Sequence, residues 1–212
     1  MRIDADAVMW SAPGSERAGR PLLILLHGYG AHEGDIFSLS RSLPLEPVIA
    51  SVRAPLREGT GYTWFPSAGE SSATGSPADE RFDAVADAVG ALTEWIDSTT
   101  STAAGLLGMS QGGAMALELL RTHPERFGYV VQLSGFVFPT DHPGDARLAE
   151  LRPPVFWGRG TTDTVIPASL INHTQKWLAE HSTLTAGIYE GLGHAVSDYE
   201  LSEVGAFIRS HL

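Results

Sequence analysis

The fold is decided by the stretch Gly105-Leu106-Leu107-Gly108-Met109-Ser110-Gln111-Gly112-Gly113-Ala114. An apolar run ends there, a serine stands between two glycines in a G-x-S-x-G pattern, and a helical pattern begins at once. A sharp turn from strand to helix would expose the Ser110 hydroxyl at the edge of a sheet, and side chains at Gly108 or Gly112 would crowd that turn. The pattern alone is weak evidence, so the rest of the chain must supply the context.

Apolar runs of strand length recur on both sides of this stretch, and segments with helical spacing lie between them. This alternation predicts an α/β protein with a mostly parallel central sheet and helices on both faces. A capping box at Ser197-Asp198-Tyr199-Glu200 predicts the start of the last helix, and Ser76-Pro77 predicts the start of an earlier one. The predicted strands are 21–26, 47–52, 103–107, 129–133, 154–157 and 184–189, and the predicted helices include 35–43, 77–96, 111–123 and 170–181.

The size and composition of the chain fit one globular domain over residues 1–212, since 212 residues with 43% hydrophobic side chains can bury a full core. Only about twenty residues separate the strands at 129–133 and 154–157, so we expect no separate lid domain and an open site. Cysteine is absent, which excludes a disulfide framework, a cysteine zinc site and a thiol nucleophile.

The net charge of −11 argues against nucleic acid or an anionic membrane surface as a main partner. The first ten residues hold three charged side chains and no apolar core of a signal peptide, and no apolar run has the length of a membrane span. We therefore expect a soluble, cytoplasmic protein without stable membrane insertion. The sequence does not indicate the oligomeric state.

Three side chains follow predicted strands in the order Ser110, Asp163, His194. Parallel strands end at one edge of a sheet, so the loops that carry these residues should converge there. A serine hydroxyl becomes a good nucleophile when a histidine takes its proton, and a carboxylate that fixes the histidine tautomer makes that transfer efficient. The order therefore predicts a nucleophile, an orienting acid and a general base.

Other residues compete for the last two roles. His27 also follows a strand, although we expect it to shape its loop. Asp141 and Asp145 follow the preceding strand and satisfy the same chain order, so order alone does not select Asp163; its position in the loop after a strand favours it.

The same edge should receive His27-Gly28-Tyr29-Gly30, so the backbone N–H groups of Tyr29 and Gln111 are candidates for an oxyanion hole. The irregular segment 58–77 carries an aromatic pair, in which Trp64 either lines a substrate pocket or pins the loop to the core. The candidates for lining an apolar substrate pocket are Trp64, Phe65, Phe136, Phe138 and Val165.

The histidines are scattered, and the chain has neither an H-E-x-x-H motif nor a glycine-rich phosphate loop with its lysine. We expect no metal and no cofactor.

Several motifs together resemble the phospholipase/carboxylesterase family of α/β-hydrolases, to which acyl-protein thioesterases and small bacterial carboxylesterases belong. The resemblance runs from about residue 20 to the C-terminus, and the extension Ser110-Gln111-Gly112-Gly113-Ala114 makes it more specific than G-x-S-x-G. The other matching positions are His27-Gly28-Tyr29-Gly30 with Asp35, Ala54-Pro55 with Trp64-Phe65, Leu133-Ser134-Gly135, Gly158 with Asp163 and Pro167, and Gly193-His194.

The resemblance implies an α/β-hydrolase fold and a serine esterase with Ser110 as nucleophile, Asp163 as orienting acid and His194 as base. It also implies an oxyanion hole formed by the Tyr29 and Gln111 amides. We expect a carboxylesterase acting on small ester molecules with short to medium acyl chains. The alternatives are an acyl-protein thioesterase or lysophospholipase with the same three residues, and a noncatalytic binding module on the same fold.

Overall fold

In the computed structural model, which describes residues 1–67, 77–99 and 102–212, the apolar runs form strands. The run at 21–26 is buried on both faces, as expected for a central parallel strand: Leu23, Ile24, Leu25 and Leu26 have no exposed surface. The strands in chain order are β1 (Met9–Trp10), β2 (Pro21–Leu26), β3 (Val48–Val52), β4 (Leu56–Glu58), β5 (Gly61–Thr63), β6 (Thr102–Met109), β7 (Phe127–Leu133), β8 (Pro154–Gly160) and β9 (Thr183–Tyr189).

Seven of these strands form one sheet in the order β1-β3-β2-β6-β7-β8-β9. The short β1 is antiparallel to β3, and every other neighbouring pair is parallel. The antiparallel pair β4–β5 forms a separate hairpin, and the bridge between Ala31 and Tyr62 joins it to the loop after β2. The predicted mostly parallel sheet is confirmed.

Helices cover both faces of the sheet, as predicted. The helices are α1 (Glu33–Phe37), α2 (Pro77–Asp97), α3 (Gln111–Thr122), α4 (Asp145–Leu151), α5 (Ala168–His181) and α6 (Asp198–Arg209). The larger core cluster joins one face to α2, α3, α4 and α5, and the smaller one joins the other face to α1 and α6.

The structure differs from the sequence predictions in its small elements. The helix predicted at 35–43 is a short α1 followed by a 3-10 helix, Ser38–Ser42, and the sequence did not predict β1, β4, β5 or α4. Between β7 and β8 the chain contains only α4 and loops, which leaves no lid domain in that segment. The helix start predicted at Ser76 lies outside the described residues.

No helix in the described part of the chain combines the length and the hydropathy that a membrane crossing requires.

Candidate active site

Ser110 occupies a strained turn between β6 and α3. Its backbone has φ 54° and ψ −118°, in a region that residues other than glycine rarely adopt. Two hydrogen bonds hold this conformation: the Ser110 N–H donates to the Leu133 carbonyl at 2.8 Å, and the Ser110 carbonyl accepts from Ala114 at 3.1 Å. The neighbouring strand and the first turn of α3 thus fix the direction of the serine side chain.

Glycines on both sides of the serine allow the backbone to close this turn. A Cβ atom added at Gly108 would collide with the Gly112 carbonyl, and one added at Gly112 would collide with the Leu26 carbonyl. Both obstacles are backbone atoms, which cannot rotate away as a flexible side chain can. The G-x-S-x-G pattern is therefore a steric requirement of the close approach of β2, β6 and α3.

Replacing Gly112 by alanine is expected to lower the free energy of unfolding by at least about 3 kcal/mol, because the added methyl group forces rigid backbone apart. Gly90 is the matched control: it lies inside α2 with nothing within 4 Å of an added Cβ. Alanine there should raise the free energy of unfolding by about 0.5 to 1 kcal/mol. Chemical denaturation of both variants measures this, and wild-type stability in the Gly112 variant would contradict the steric explanation.

Asp163 and His194 form a direct pair at the same edge of the sheet. The distance from His194 Nδ1 to Asp163 Oδ2 is 2.8 Å, and the Asp163 side chain is only 2% exposed. The other carboxylate oxygen, Oδ1, accepts the N–H groups of Val165 at 2.8 Å and Ile166 at 3.3 Å. These bonds fix the carboxylate, so His194 receives a partner whose orientation is already set.

The electrostatics of Asp163 keep it ionised. Burial by itself would raise its pKa, but the hydrogen bonds from His194, Val165 and Ile166 outweigh that effect and hold the pKa below its ordinary value of 3.8. The carboxylate is therefore charged throughout the neutral pH range and can stabilise a protonated imidazole.

The loop that carries His194 is bonded to the loop that carries Asp163. The Thr162 N–H donates to the Leu192 carbonyl at 3.0 Å, and the Thr162 hydroxyl donates to the Gly191 carbonyl at 3.1 Å. The Gly191 N–H in turn donates to the Thr161 hydroxyl at 2.9 Å. These three bonds join the ends of β8 and β9 and support the pairing of the two side chains.

The two rival acids lie in other surroundings. Asp145 accepts two hydrogen bonds from the buried Arg121, at 2.8 and 2.7 Å, and Asp141 is exposed to solvent. His194 is hydrogen-bonded to Asp163. The geometry therefore favours Asp163 over Asp141 and Asp145.

His27 has a structural environment. It is 1% exposed, its Nε2 accepts the Ala54 N–H at 3.1 Å, and its Nδ1 therefore donates to the Gly28 carbonyl at 2.8 Å. Burial lowers the pKa of His27, which keeps the ring neutral. Both ring nitrogens are occupied by backbone groups, which favours the expectation that His27 shapes its loop.

The loop after β2 lies against the serine. A Cβ atom added at Gly28 would be 3.4 Å from the Ser110 Cβ, so the segment that carries Tyr29 passes beside the turn at Ser110. Gln111 is the first residue of α3, where a backbone N–H has no acceptor within the helix. This arrangement brings both predicted oxyanion segments next to Ser110.

The Gln111 side chain has a role that the sequence analysis missed. Its Oε1 accepts the Thr63 hydroxyl and the Trp64 N–H, each at 2.9 Å, and its Nε2 donates to the Phe65 carbonyl at 2.7 Å. The residue after Ser110 therefore anchors residues 63–65 at the end of β5. A sequence motif shows that a glutamine is present but not which distant backbone groups it binds.

The predicted pocket residues divide into three groups. Trp64 is fully buried and its indole N–H donates to the His27 carbonyl at 2.9 Å, which favours the alternative that it pins the loop to the core. Phe65, Phe136 and Phe138 form an aromatic cluster, with ring centroids 5.4 and 5.2 Å from that of Phe138. Val165 is 60% exposed beside the Asp163 loop.

Glu200 is a second buried carboxylate near this edge. The predicted capping box is present: Ser197 accepts the Glu200 N–H, and Glu200 Oε2 accepts the Ser197 N–H. The other oxygen, Oε1, has no hydrogen-bond partner among the described residues and lies against Gly158, where an added Cβ would collide with it. Burial raises the pKa of Glu200 from 4.5 to about 7.

Replacing Glu200 by glutamine is expected to stabilise the protein at alkaline pH. The folded carboxyl holds its proton up to about pH 7 and the unfolded one releases it near 4.5, so stability is lost as the pH rises between these values. The variant should gain roughly 2 to 3 kcal/mol over the wild type above this range and almost nothing below it. Denaturation curves at both ends of the range measure this. The exposed Glu180, replaced in the same way, is the control, and a gain independent of pH would contradict the prediction.

Within the described residues, no group of three or more histidine, aspartate and glutamate side chains has the arrangement of a metal site.

A family comparison covers almost the whole chain. Residues 13–212 match the model of the family described as phospholipase/carboxylesterase. Carboxylesterase SOBER1 from Arabidopsis thaliana is 28% identical over 180 residues, which are 81% of this chain and 75% of that protein. Acyl-protein thioesterase 1 from Saccharomyces cerevisiae is 30% identical over 109 residues, and this match spans about half of each protein: 50% of this chain and 48% of the yeast one.

Solved structures of similar architecture include two esterases. Esterase PE8 is 25% identical with a TM-score of 0.77, and the match covers 100% of both chains. A carboxylesterase from Bacillus cereus is 20% identical with a TM-score of 0.77 over 97% of this chain and 94% of the other, which shows the shared fold.

Proposed function

Since the chain belongs to the phospholipase/carboxylesterase family of α/β-hydrolases, we propose that it is a serine carboxylesterase that hydrolyses short- to medium-chain esters through an acyl-enzyme intermediate. Family membership makes it a hydrolase. The observation that carries the proposal is the hydrogen-bonded Asp163–His194 pair at the same sheet edge as Ser110 on its strained turn.

The reaction begins with a proton transfer. Asp163 accepts the hydrogen of His194 Nδ1, which leaves the Nε2 lone pair free to take the proton of the Ser110 hydroxyl. The serine oxygen attacks the ester carbonyl carbon, and a tetrahedral intermediate forms with its negative charge on the former carbonyl oxygen. His194 then gives the proton to the leaving alkoxide, and the acyl group stays on Ser110. A water molecule repeats these steps and releases the acid.

The negative charge of the intermediate needs hydrogen-bond donors that are already in place. The backbone N–H groups of Gln111 and Tyr29 take this role in the proposal, because the first lies at the N-terminus of α3 and the second on the loop beside Ser110. The hydrogen bonds from the Gln111 side chain to residues 63–65 tie the turn at Ser110 to that segment and so restrict its movement in this proposal.

The substrate is a small molecule with an apolar acyl group in this proposal. Phe65, Phe136 and Phe138 provide an aromatic wall in this proposal, and the exposed Val165 adds to the pocket lining, whereas the buried Trp64 pins its loop to the core. The net charge of −11 makes nucleic acid and anionic membranes unfavourable partners. The proposal also includes one domain over residues 1–212, a cytoplasmic location and catalysis without a cofactor.

A thioesterase or lysophospholipase activity is the second candidate, favoured by the similarity to acyl-protein thioesterase 1. A panel of p-nitrophenyl esters from acetate to palmitate, measured beside thioesters of the same acids, separates the candidates. The carboxylesterase proposal expects the highest kcat/KM with short- to medium-chain oxygen esters. A preference for thioesters or long chains would favour the second candidate, and no turnover of any substrate would favour a noncatalytic binding module.

A further inference from the structure

Arg81 on α2 lies over the rings of Phe65, Phe136 and Phe138, which form the aromatic wall of the proposed pocket. Its guanidinium carbon is 5.2 Å from the ring centroid of Phe65, 5.2 Å from that of Phe138 and 5.9 Å from that of Phe136. Arginine stacks well on aromatic faces because its charge is delocalised and weakly hydrated. The three rings therefore fix the position of the Arg81 guanidinium, and the Arg81 side chain is partly buried.

This positive charge has no counterion in the described part of the chain. Arg81 takes part in none of the ion pairs there, and its Nε is buried without a hydrogen-bond partner. Burial lowers the pKa of Arg81, and no carboxylate contributes to the shift. Arginines elsewhere in the chain do pair with carboxylates, namely Arg53, Arg121, Arg126 and Arg147.

The residues under Arg81 are connected to the turn at Ser110 by a hydrogen bond and by close packing. The Phe65 carbonyl accepts the hydrogen bond from Gln111 Nε2, so Phe65 is bonded to the residue next to Ser110. Phe136 comes after Gly135, where an added Cβ would lie 2.9 Å from the Ser110 carbonyl oxygen. Arg81 is thus connected to the turn at Ser110 through Phe65 and Phe136.

We infer that Arg81 is a specificity-determining residue that binds a carboxylate carried by the ester substrate. This inference rests on the proposed esterase activity. A planar guanidinium matches a carboxylate in shape and can give it two parallel hydrogen bonds. One arginine balances one negative charge, and the net charge of −11 repels polyanions at longer range, so a singly charged carboxylate fits better than a phosphate ester.

The test compares esters that differ only in this charge. In the first arm, the carboxylate is on the acid half: the p-nitrophenyl half-ester of adipic acid is measured against that of its monoamide. In the second arm it is on the alcohol half: m-acetoxybenzoate is measured against m-acetoxybenzamide. The carboxamide has the shape of the carboxylate without its charge. In one of the two arms the wild type should show a kcat/KM about 5- to 10-fold higher for the carboxylate, mainly through a lower KM.

Variants assign this preference to Arg81. Arg81→Met keeps an apolar chain over the rings, and the carboxylate-to-carboxamide ratio should fall to about one. Arg81→Lys keeps the charge and should retain part of the ratio. Arg126→Met is the matched control, because it changes the net charge equally at an ion pair with Asp97 and should leave the ratio as in the wild type.

A measurement on the wild type alone tests the inference even if the Arg81 variants do not fold. High salt screens a partly exposed charge pair, so the ratio should fall toward one at about 1 M salt. A ratio near one in both arms with active enzyme, or a preference that survives Arg81→Met, would overturn the inference and leave the esterase proposal standing. Absence of turnover with all four esters would reject both.

Discussion

Replacing Ser110 by alanine is expected to lower kcat for a p-nitrophenyl ester by roughly a million-fold, with the melting temperature almost unchanged. The large effect follows because without the hydroxyl no acyl-enzyme forms, and the remaining groups can only assist direct attack by water. The fold should survive, since the Leu133 and Ala114 hydrogen bonds that hold this turn use the backbone of residue 110. Steady-state kinetics and thermal unfolding of the same preparation measure both quantities.

Ser134 offers a matched control for this variant. It follows β7 as Ser110 follows β6, it is buried, and its backbone also has a positive φ, of 46°. Ser134→Ala removes a hydroxyl from the same kind of backbone position, and it should keep kcat within about tenfold of the wild type. Substantial turnover by Ser110→Ala, or an equal loss in both variants, would contradict the assignment of Ser110 as the nucleophile.

Replacing Asp163 by asparagine is expected to lower kcat by about ten-thousand-fold. The 2.8 Å contact with His194 Nδ1 remains in reach, but an amide can donate its own hydrogen there and so stabilise the wrong tautomer. His194 Nε2 would then carry a hydrogen and could not take the proton of Ser110. The variant also lacks the negative charge that stabilises the imidazolium.

The rival acids decide whether this effect is specific. Asp141 is exposed, so Asp141→Asn should leave kcat close to the wild-type value. Thermal unfolding of Asp163→Asn shows whether the loss of rate has a structural cause. A rate within tenfold of the wild type in Asp163→Asn, combined with a large loss in Asp141→Asn, would move the acid to the loop after β7.

The long parallel strands were predictable from the sequence, and so was the common edge at which the loops of Ser110, Asp163 and His194 lie. Strands such as β2 and β7 are buried on both faces, so they show as continuous apolar runs with loop residues directly after them. Ser110, Asp163 and His194 follow three predicted strands, and their convergence then requires only that parallel strands end together. The structure confirms this sheet.

The parts that were not predicted depend on contacts between distant segments. β1 has two residues, which is too short for any periodicity, and the hairpin of β4 and β5 lies in a segment whose composition is typical of a loop. Nothing local to Gln111 or Arg81 shows that one binds residues 63–65 and the other lies over phenylalanine rings. Their roles follow only from the packed chain.

Labelling with a fluorophosphonate probe shows whether Ser110 and His194 act as nucleophile and base. The serine oxygen displaces fluoride from phosphorus while His194 takes its proton, so the reaction requires a nucleophile and a base that meet in space. We expect one probe per chain on the peptide that contains Ser110, and labelling at least about a hundredfold slower in His194→Gln. Labelling at another residue, an unchanged rate in His194→Gln, or ester turnover by a protein that the probe does not modify would contradict it.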